Sequence, residues 1–560
     1  QDFYLNLLMD EHRLAPAVGH DRAAFEASER ARARSLVETL GEARADPNRS
    51  VPPALIERER DLRAQLDNQA LEQTRLSDKK DDAPKAEAIA QEIRRLIAEH
   101  ELIRWKIQTA NPRETALAQL QPFKTEEIQL LLDADSLQLE YALGAERSYL
   151  FALTDKAFQS YELPKREIIE TAARRYYELL TARNRQIKFE EAAQRARRLQ
   201  QADKDLAVAG VELSRMILQP VAAELRQRRL LIVADGALQY VPFAALPATG
   251  GLGDGESGGK RTPRPVAPSL RRPVPLIANH EVVHLPSASA LAVLRRELKD
   301  RKPAPKLLAV LADPVFDADD ERLPKEARER LARERQAPAL AKENPAALAT
   351  DELTRAVQST GLEGERGSLA RLPYTRAEAQ AILALAPQTQ SFGAFDFAAN
   401  QAAAIDPSLS QYRYVHFATH GLLNDTHPEL SGLVLSLVDR EGRTQDGFLR
   451  MVEVFNLNLP AELVVLSGCK TGLGKEIRGE GLVGLTRGFM HAGAARVLVS
   501  LWDVNDRATA ELMARVYRGM LGKGLRPAAA LRAAQLELSK QPQWRAPYYW
   551  ASFVLMGESQ

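Results

Sequence analysis

Three short runs of aliphatic and β-branched residues dominate the hydrophobic pattern between Tyr414 and Asp506, and small or polar residues follow each run. The runs are Tyr414-Val-His-Phe-Ala-Thr-His-Gly, Glu462-Leu-Val-Val-Leu-Ser-Gly-Cys and Arg496-Val-Leu-Val-Ser-Leu-Trp-Asp. Such runs predict parallel strands that are buried on both faces of an α/β sheet. Because parallel strands end at the same edge of a sheet, we expect His420, Cys469 and the loop from Trp502 to lie together.

Strand and helix patterns alternate through most of residues 305–560, which predicts a three-layer α/β domain. The first strand pattern starts at Lys306, helix patterns cover 375–385, 507–521 and 527–539, and the last apolar run, 548–556, predicts a closing strand. The charged, alanine-rich segment 318–366 interrupts this alternation and is expected to be a mobile insertion with some helix.

A second α/β pattern precedes this domain. Short strand patterns cover 137–143, 148–154 and 158–163, helix patterns cover 166–183 and 189–225, and a buried strand begins at Arg229. Asp235 follows that strand in an Asp-Gly turn, so turn formation explains it better than catalysis. Residues 248–275 are rich in Gly, Pro, Ser and Arg and predict a flexible linker. We therefore expect a subdomain at 116–300 without catalytic residues.

The first 115 residues have helical patterns throughout. Apolar residues recur at near-heptad spacing over 53–76 and 89–103, and the polar segment 77–84 separates the two stretches. This arrangement predicts an antiparallel helical hairpin. A long self-associating coiled coil would need three or four uninterrupted heptads, so we do not expect one.

Charge and cysteine content exclude several classes of protein. The 560 residues include 76 Lys and Arg against 75 Asp and Glu, a formal charge of +1, so no bulk field favours direct binding of nucleic acid or a membrane surface. A single Cys excludes an internal disulfide framework and a Cys-rich zinc site. Because we find no apolar run of about eighteen residues and no signal-peptide pattern, we expect a soluble, cytoplasmic protein. The chain begins at Gln1 and is expected to be a piece of a longer one.

His420 and Cys469 are the candidate catalytic pair. A thiol has an ordinary pKa of about 8.5 and needs a nearby imidazole to become a nucleophile at neutral pH. The backbone N–H groups of Gly421 and Cys469 would form an oxyanion hole. Two alternatives remain open: a buried, unreactive Cys, and a metal site formed with His416 and His427. His416 lies mid-strand among apolar residues and is more simply a hydrogen-bonded core histidine.

Glycine-rich segments suggest other sites but lack the required context. Gly479-Glu-Gly-Leu-Val-Gly matches GxGxxG, yet the preceding strand pattern ends near Ser467, about a dozen residues too early for a dinucleotide site. The segment 468–475 lacks the spacing of a P-loop, and Gly255-Glu-Ser-Gly-Gly lies in the linker rather than at a nucleophile elbow. A nucleotide-binding switch that uses the glycine loop remains a lesser alternative.

Several motifs occur together in a characteristic order. They are Ala418-Thr-His-Gly, Ser467-Gly-Cys-Lys-Thr-Gly, Gly479-Glu-Gly-Leu-Val-Gly-Leu, Ala492-Gly-Ala, Ser500-Leu-Trp-Asp-Val-Asn-Asp and Tyr549-Trp-Ala-Ser-Phe-Val-Leu-Met-Gly. Over roughly 170–560 the chain resembles the CHAT domain, a caspase- and separase-like cysteine peptidase module. The run that begins at Ala24 resembles the helix that joins TPR repeats to CHAT domains in bacterial signalling proteins, so any TPR array would lie upstream.

The resemblance implies a caspase-like α/β/α sandwich with a degenerate half at 116–300, an active half at 301–560, and a preceding α-helical region at 1–115. It implies that His420 and Cys469 form the dyad and that Gly421 and Cys469 donate to the oxyanion. It places Ser500–Asp506 along the substrate pocket. The pocket residues we expect are Trp502, Asp503, Asp506 and, from the 479–484 loop that orders on activation, Glu480.

The expected function is therefore that of a cysteine endopeptidase without a cofactor or metal, regulated through its helical N-terminal region or by a protein activator. Its substrates would be proteins. Asp503 or Asp506 would favour Arg or Lys in the pocket, although both carboxylates would equally suit caps of the following helix. The alternative function is a catalytically silent scaffold that binds a protein partner.

Overall fold

A computed structural model describes residues 2–44, 123–226, 229–248, 274–299, 301–317, 320–336, 369–422, 432–443, 445–468, 476–477, 481–482 and 485–559, with seven single positions between 58 and 103. Contacts divide the chain into two compact units, residues 1–36 with 122–560 and residues 37–121. In the smaller unit Leu62 packs with Leu96 and Ile103, and Arg58 pairs with Glu99 at 2.6 Å, an order that matches an antiparallel hairpin.

The larger unit contains a mixed sheet flanked by helices. The described helices are α1 (Asp2–Leu14), α2 (His20–Arg44, shared with the smaller unit), α3 (Thr125–Gln129), α4 (Arg166–Leu180), α5 (Ala192–Ile217), α6 (Ala288–Leu298), α7 (Lys325–Gln336), α8 (Pro373–Leu383), α9 (Gln401–Ala404), α10 (Met451–Phe455), α11 (Leu485–His491), α12 (Asp506–Tyr517), α13 (Pro527–Ser539) and α14 (Pro547–Trp550). None of the helices in these ranges is both long and apolar enough to cross a membrane.

The strands form one large sheet and two small ones. They are β1 (Ser136–Ala142), β2 (Ser148–Leu153), β3 (Phe158–Leu163), β4 (Arg229–Val233), β5 (Glu281–His284), β6 (Lys306–Pro314), β7 (Ser391–Asp396), β8 (Tyr412–Ala418), β9 (His420–Leu422), β10 (Gly432–Val434), β11 (Phe448–Arg450), β12 (Leu463–Leu466), β13 (Glu476–Ile477), β14 (Gly481–Leu482), β15 (Arg496–Ser500) and β16 (Phe553–Gly557). The large sheet has eleven described strands in the order β3-β2-β1-β4-β5-β16-β15-β12-β8-β6-β7.

The direction of the parallel strands reverses between β15 and β16, which both come from the predicted half 301–560. β15, β12, β8, β6 and β7 are mutually parallel, as the sequence predicted for their apolar runs. β16 is antiparallel to β15 and parallel to β5, and β5, β4 and β1 continue in that direction. The carboxyl ends of β1, β4, β5 and β16 therefore lie at one edge of the sheet, and those of β15, β12, β8, β6 and β7 lie at the opposite edge.

Helices cover both faces of the sheet. α8 connects β6 to β7, a step towards the β7 edge of the sheet. α11 connects β12 to β15, a step in the opposite direction, away from β7. Because such crossovers are right-handed, α8 and α11 lie on opposite faces. α8 packs against α12, and α12 packs against α13, so these three helices form one layer. The predicted α/β class with a helical N-terminal region is thus confirmed.

Two local predictions are wrong. The segment 548–556 is not one strand, because Pro547 occupies the first helical position of α14 and the strand starts only at Phe553. His416 and His420 do not share one strand either. β8 ends at Ala418, and His420 begins β9, which pairs with β10 in a separate small sheet.

Candidate active site

The carboxyl ends of β8 and β12 meet at Gly468. A Cβ atom on Gly468 would lie 2.1 Å from the carbonyl oxygen of Thr419 and 3.1 Å from the backbone nitrogen of Gly421. Only glycine fits this close approach of two backbones. The hydroxyl of Ser500, at the end of β15, donates to the Gly468 carbonyl at 2.6 Å. Three neighbouring strands therefore converge around Gly468 and residues 419–421.

The imidazole of His420 is buried at this convergence, with the residue 5% exposed. Its Nε2 lies 2.7 Å from the carbonyl oxygen of Ala370, and its ring lies 5.1 Å from that of Phe316. Nδ1 is buried and has no hydrogen-bond partner among the described residues. Burial lowers the pKa of His420, while the Ala370 carbonyl and the charge of Asp503 oppose that shift. At neutral pH the ring is therefore uncharged, and Nδ1 is the unprotonated nitrogen that can accept a proton.

The Ala370 carbonyl is anchored by a buried ionic cluster next to it in sequence. Asp313 follows the last apolar residues of β6 and is almost completely buried. Its carboxylate accepts two hydrogen bonds from Arg371, at 2.8 and 2.9 Å, and one from Arg376 at 2.7 Å. Arg322 also contacts Asp313, at 3.1 Å. The segment that binds His420 is thus fixed to the end of β6, a constraint that the sequence analysis missed.

His416 belongs to a second, fully buried network below the site. Its Nε2 lies 2.7 Å from Glu378 and 3.1 Å from the hydroxyl of Ser467, and its Nδ1 lies 3.1 Å from the hydroxyl of Tyr517. These contacts agree with the prediction of a hydrogen-bonded core histidine. Glu378, on α8, is a partner that the sequence analysis did not find. In the described part of the chain, His, Cys, Asp and Glu side chains form no group of three that would hold a metal.

Trp502 and Asp503 follow β15 and lie between the two halves of the sheet. Trp502 is fully buried, and its indole N–H donates to the carbonyl of Tyr548 at 3.2 Å. The backbone carbonyl of Asp503 accepts from Asn184 at 3.0 Å and from the Tyr548 hydroxyl at 3.2 Å. Trp502 therefore supports the loop from within the core, whereas the Asp503 charge acts on His420.

Asp506 does not cap the helix that it begins. The cap of α12 is Asn505, whose side chain accepts from the N–H of Ala508 at 3.0 Å. The Asp506 carboxylate instead accepts from the N–H of Tyr374, at 3.0 Å, in the first turn of α8. Burial raises the pKa of Asp506 to about 6. The Tyr374 N–H opposes this shift, and the charges of Glu378 and Asp313 add to it.

The remaining predicted site residues lie outside the described residues. These are Cys469, Glu480 and His427. Gly421 is described and lies in β9 opposite Leu433 of β10. In the GxGxxG segment, Gly481–Leu482 pairs with Glu476–Ile477, and α11 starts only at Leu485. The described parts of this segment therefore do not form the tight strand–turn–helix of a dinucleotide site.

The fold and the site are those of an α/β protein with a buried histidine at the carboxyl edge of its sheet. A family model described as the CHAT domain matches residues 208–558. The chain belongs to the CHAT domain family, which confirms the resemblance that the ordered motifs predicted.

Individual relatives match only a part of the chain, or they match it at low sequence identity. Tetratricopeptide repeat protein 28 of Homo sapiens is 36% identical over 113 residues, which is 20% of this chain and 4% of that protein. The mouse protein of the same name is 36% identical over 109 residues. The chain thus spans only a small fraction of the length of these relatives.

The chain is similar to two solved structures at low identity. Separase of Saccharomyces cerevisiae, in its complex with securin, is 9% identical, with a TM-score of 0.44 over 81% of this chain and 32% of that one. The Arg-specific cysteine proteinase gingipain R is 9% identical, with a TM-score of 0.33 over 62% of this chain and 68% of that one.

Proposed function

We propose that the protein is a cysteine endopeptidase in which Cys469 is the nucleophile and His420 serves the proton transfers. The observation that carries the proposal is the state of His420: Nε2 is bound to a backbone carbonyl, and Nδ1 is buried without a described partner. A carbonyl oxygen only accepts, so Nε2 carries the proton and Nδ1 is the basic atom. Gly468 precedes Cys469 directly, and its contact with residues 419–421 supports a thiol beside this imidazole.

The proposed reaction has two stages. The Cys469 thiol gives its proton to Nδ1 of His420, and the thiolate attacks the carbonyl carbon of the scissile peptide bond. The resulting imidazolium protonates the leaving amine as the C–N bond breaks, which produces a thioester and a free amine. A water molecule then gives a proton to Nδ1 and attacks the thioester, and the thiol is restored as the carboxylic acid leaves.

Backbone N–H groups would stabilise the oxyanion formed in both stages. We assign this role to Gly421 and Cys469. The Gly421 nitrogen lies beside Gly468, and the carbonyl of Gly468 accepts a hydrogen bond from the hydroxyl of Ser500. A donor fixed in this way needs no reorganisation when negative charge develops, which is the property that makes an oxyanion hole effective.

We further propose that Asp503 favours substrates with Arg or Lys before the scissile bond. Its charge already acts on His420, so a cationic side chain bound nearby would experience the same field. Asp506 is less suited to this role because its carboxylate is bound to the Tyr374 N–H. Fluorogenic peptides that differ only in this residue provide the test. Faster cleavage after Arg than after Leu supports the proposal, and equal rates would end it.

Regulation through the N-terminal helices has support in the packing of α2. Glu29 is fully buried and accepts from the backbone N–H groups of Ala288 and Ser289, at 3.0 and 2.6 Å, in the first turn of α6. Arg32 is also buried and donates to the carbonyl of Ala234 at 3.1 Å. Displacement of α2 by a protein activator would leave these buried charges uncompensated. We propose that the substrates and any activator are proteins.

The alternative function is a catalytically silent scaffold that binds a protein partner. The buried packing of α2 supports this function too, because it links the N-terminal helices to the α/β part of the chain. An irreversible thiol-directed probe distinguishes the two functions, because Cys469 is the only thiol. An endopeptidase should react with the probe faster than free cysteine does at pH 7, and His420→Ala should slow the reaction. Labelling slower than that of free cysteine, and unchanged by His420→Ala, would favour the scaffold.

A further inference from the structure

A basic cavity of about 490 Å³ lies at the sheet edge opposite His420. The loop after α6, the amino ends of β12 and β15, and the carboxyl end of β16 surround it. Five cationic side chains line this basic cavity: Arg295, Lys299, Arg301, Lys302 and Arg496. It is distant from His420 along the strands, and its assignment does not rest on the proposed function.

Two carboxylates also line the basic cavity, and each is already matched by an arginine. Glu558 pairs with Arg295 through two bonds of 2.9 Å. Glu462 pairs with Arg413, which lies outside the lining, at 2.7 and 3.0 Å. With five cations and two carboxylates, the described lining has a formal charge of +3. Bidentate arginine pairs hold both carboxylates in place, and the cations of the lining outnumber them.

Arg301 is the side chain that points most clearly to a ligand. Its Nη1 donates to the carbonyl of Gly493 at 2.9 Å, while its Nη2 is buried and has no hydrogen-bond partner in the described ranges. Arg496 donates from Nε to the carbonyl of Glu558 at 2.8 Å. Burial lowers the pKa of Arg301 against the charge of Glu462, and it lowers the pKa of Arg496 against the charges of Glu558 and Glu462. Two partly desolvated guanidinium groups therefore face a cavity of net positive charge.

We propose that the basic cavity binds a small phosphorylated molecule through its terminal phosphate or diphosphate. Arginine offers paired donors that match two phosphate oxygens, and lysine adds a mobile point charge. A phosphate monoester or diphosphate would neutralise most of the +3 lining and give Arg301 Nη2 an acceptor. A cavity of this volume is of the size that holds small-molecule ligands.

Isothermal titration calorimetry on the whole chain, with sodium pyrophosphate, inorganic phosphate and ATP as probes, tests the site. Sodium chloride at matched ionic strength controls for general screening. Arg301→Gln and Lys302→Gln remove cavity cations, and Lys523→Gln removes an exposed cation elsewhere. Thermal unfolding of each variant without a probe verifies that it is folded.

We expect at least one phosphate probe to bind, with about tenfold weaker affinity in Arg301→Gln and Lys302→Gln and unchanged affinity in Lys523→Gln. Absence of heat with every probe, or equal weakening in Lys523→Gln, would overturn the proposal. A peptide that contains phosphoserine forms a second arm. Binding of the peptide without binding of any small probe would also overturn it, because the ligand would then be a phosphoprotein.

Discussion

The carbonyl oxygen of Ala370 lies 2.7 Å from Nε2 of His420, and this contact fixes which imidazole nitrogen carries the proton. The carbonyl belongs to a segment that Arg371 and Arg376 tie to the buried Asp313. The histidine is therefore oriented from outside its own strand, and Nδ1 remains available as a base.

The acid limb of the pH–activity profile should depend on Asp503. Burial holds the pKa of His420 below its ordinary 6.5, and the Asp503 charge raises it. The base loses activity when it is protonated, so the limb should lie below pH 6.5. Asp503→Asn removes the opposing charge, and it should move the limb to still lower pH. The profile of kcat/KM for a fluorogenic peptide measures this shift.

Glu441→Gln is the matched control, because Glu441 lies on an exposed turn. The acid limb of the pH–activity profile of Glu441→Gln should coincide with that of the unmodified protein. A limb that moves to higher pH in Asp503→Asn, or that moves equally in both variants, would contradict the electrostatic coupling of Asp503 to His420.

Gly468→Ala should destabilise the protein and remove activity. The new Cβ would lie 2.1 Å from the Thr419 carbonyl oxygen, so two strand ends must separate. Overpacking of this kind costs about 1–3 kcal/mol in the free energy of unfolding. Gly522→Ala is the control, because its Cβ would meet only Arg518 at 3.9 Å. Chemical denaturation and peptide cleavage test both variants, and equal stability of the two would refute the close approach.

The stability of the protein relative to Asp506→Asn should fall as the pH rises from about 4 to about 6. The pKa of Asp506 is about 6 in the fold against an ordinary 3.8, so the folded state binds this proton more tightly than the unfolded state. The penalty for ionisation is absent well below pH 4 and complete above pH 6. Its upper limit is about 3 kcal/mol, and partial solvent contact reduces it.

Urea denaturation of both proteins at pH 4, 5, 6 and 7 measures this difference. Asn keeps a side-chain oxygen for the Tyr374 N–H but cannot ionise. A difference in the free energy of unfolding that is constant across the four pH values would show that Asp506 does not titrate as stated.

Glu378→Ala should cost about 3 kcal/mol in the free energy of unfolding, because it removes a partner from a fully buried histidine. The control is Glu167→Ala, which breaks an exposed ion pair with Lys165 and should cost less than about 1 kcal/mol. Thermal and chemical unfolding measure both losses. Similar losses in the two variants would mean that the His416 network contributes no more than a surface pair.

The sequence predicted the parallel strands well, because buried strands of this kind depend on local patterns. Each buried parallel strand is a continuous apolar run, and the residues after the runs meet at Gly468. It did not predict the break between β8 and β9, since Tyr414 to Gly421 has no Gly or Pro before the break at Thr419 to indicate one.

Sequence patterns did not predict the hydrogen-bond partners that are distant in sequence. Ala370 is 50 residues from His420, and Glu378 is 38 residues from His416. Nothing in the sequence around Ala370, or around the single glutamate of α8, indicates that either residue contacts a particular histidine. The Asn505 cap was also missed, because three capping residues occur within Asp503–Asp506 and only the backbone geometry selects one of them.

The most direct test of the account is a comparison of new protein N-termini in cells that produce the unmodified protein or Cys469→Ala. A peptidase that uses Cys469 and His420 should produce a set of cleavages that disappears in Cys469→Ala and also in His420→Ala, while both variants remain folded. Identical sets of N-termini in all three, under conditions in which the protein responds to its activator, would contradict peptidase activity.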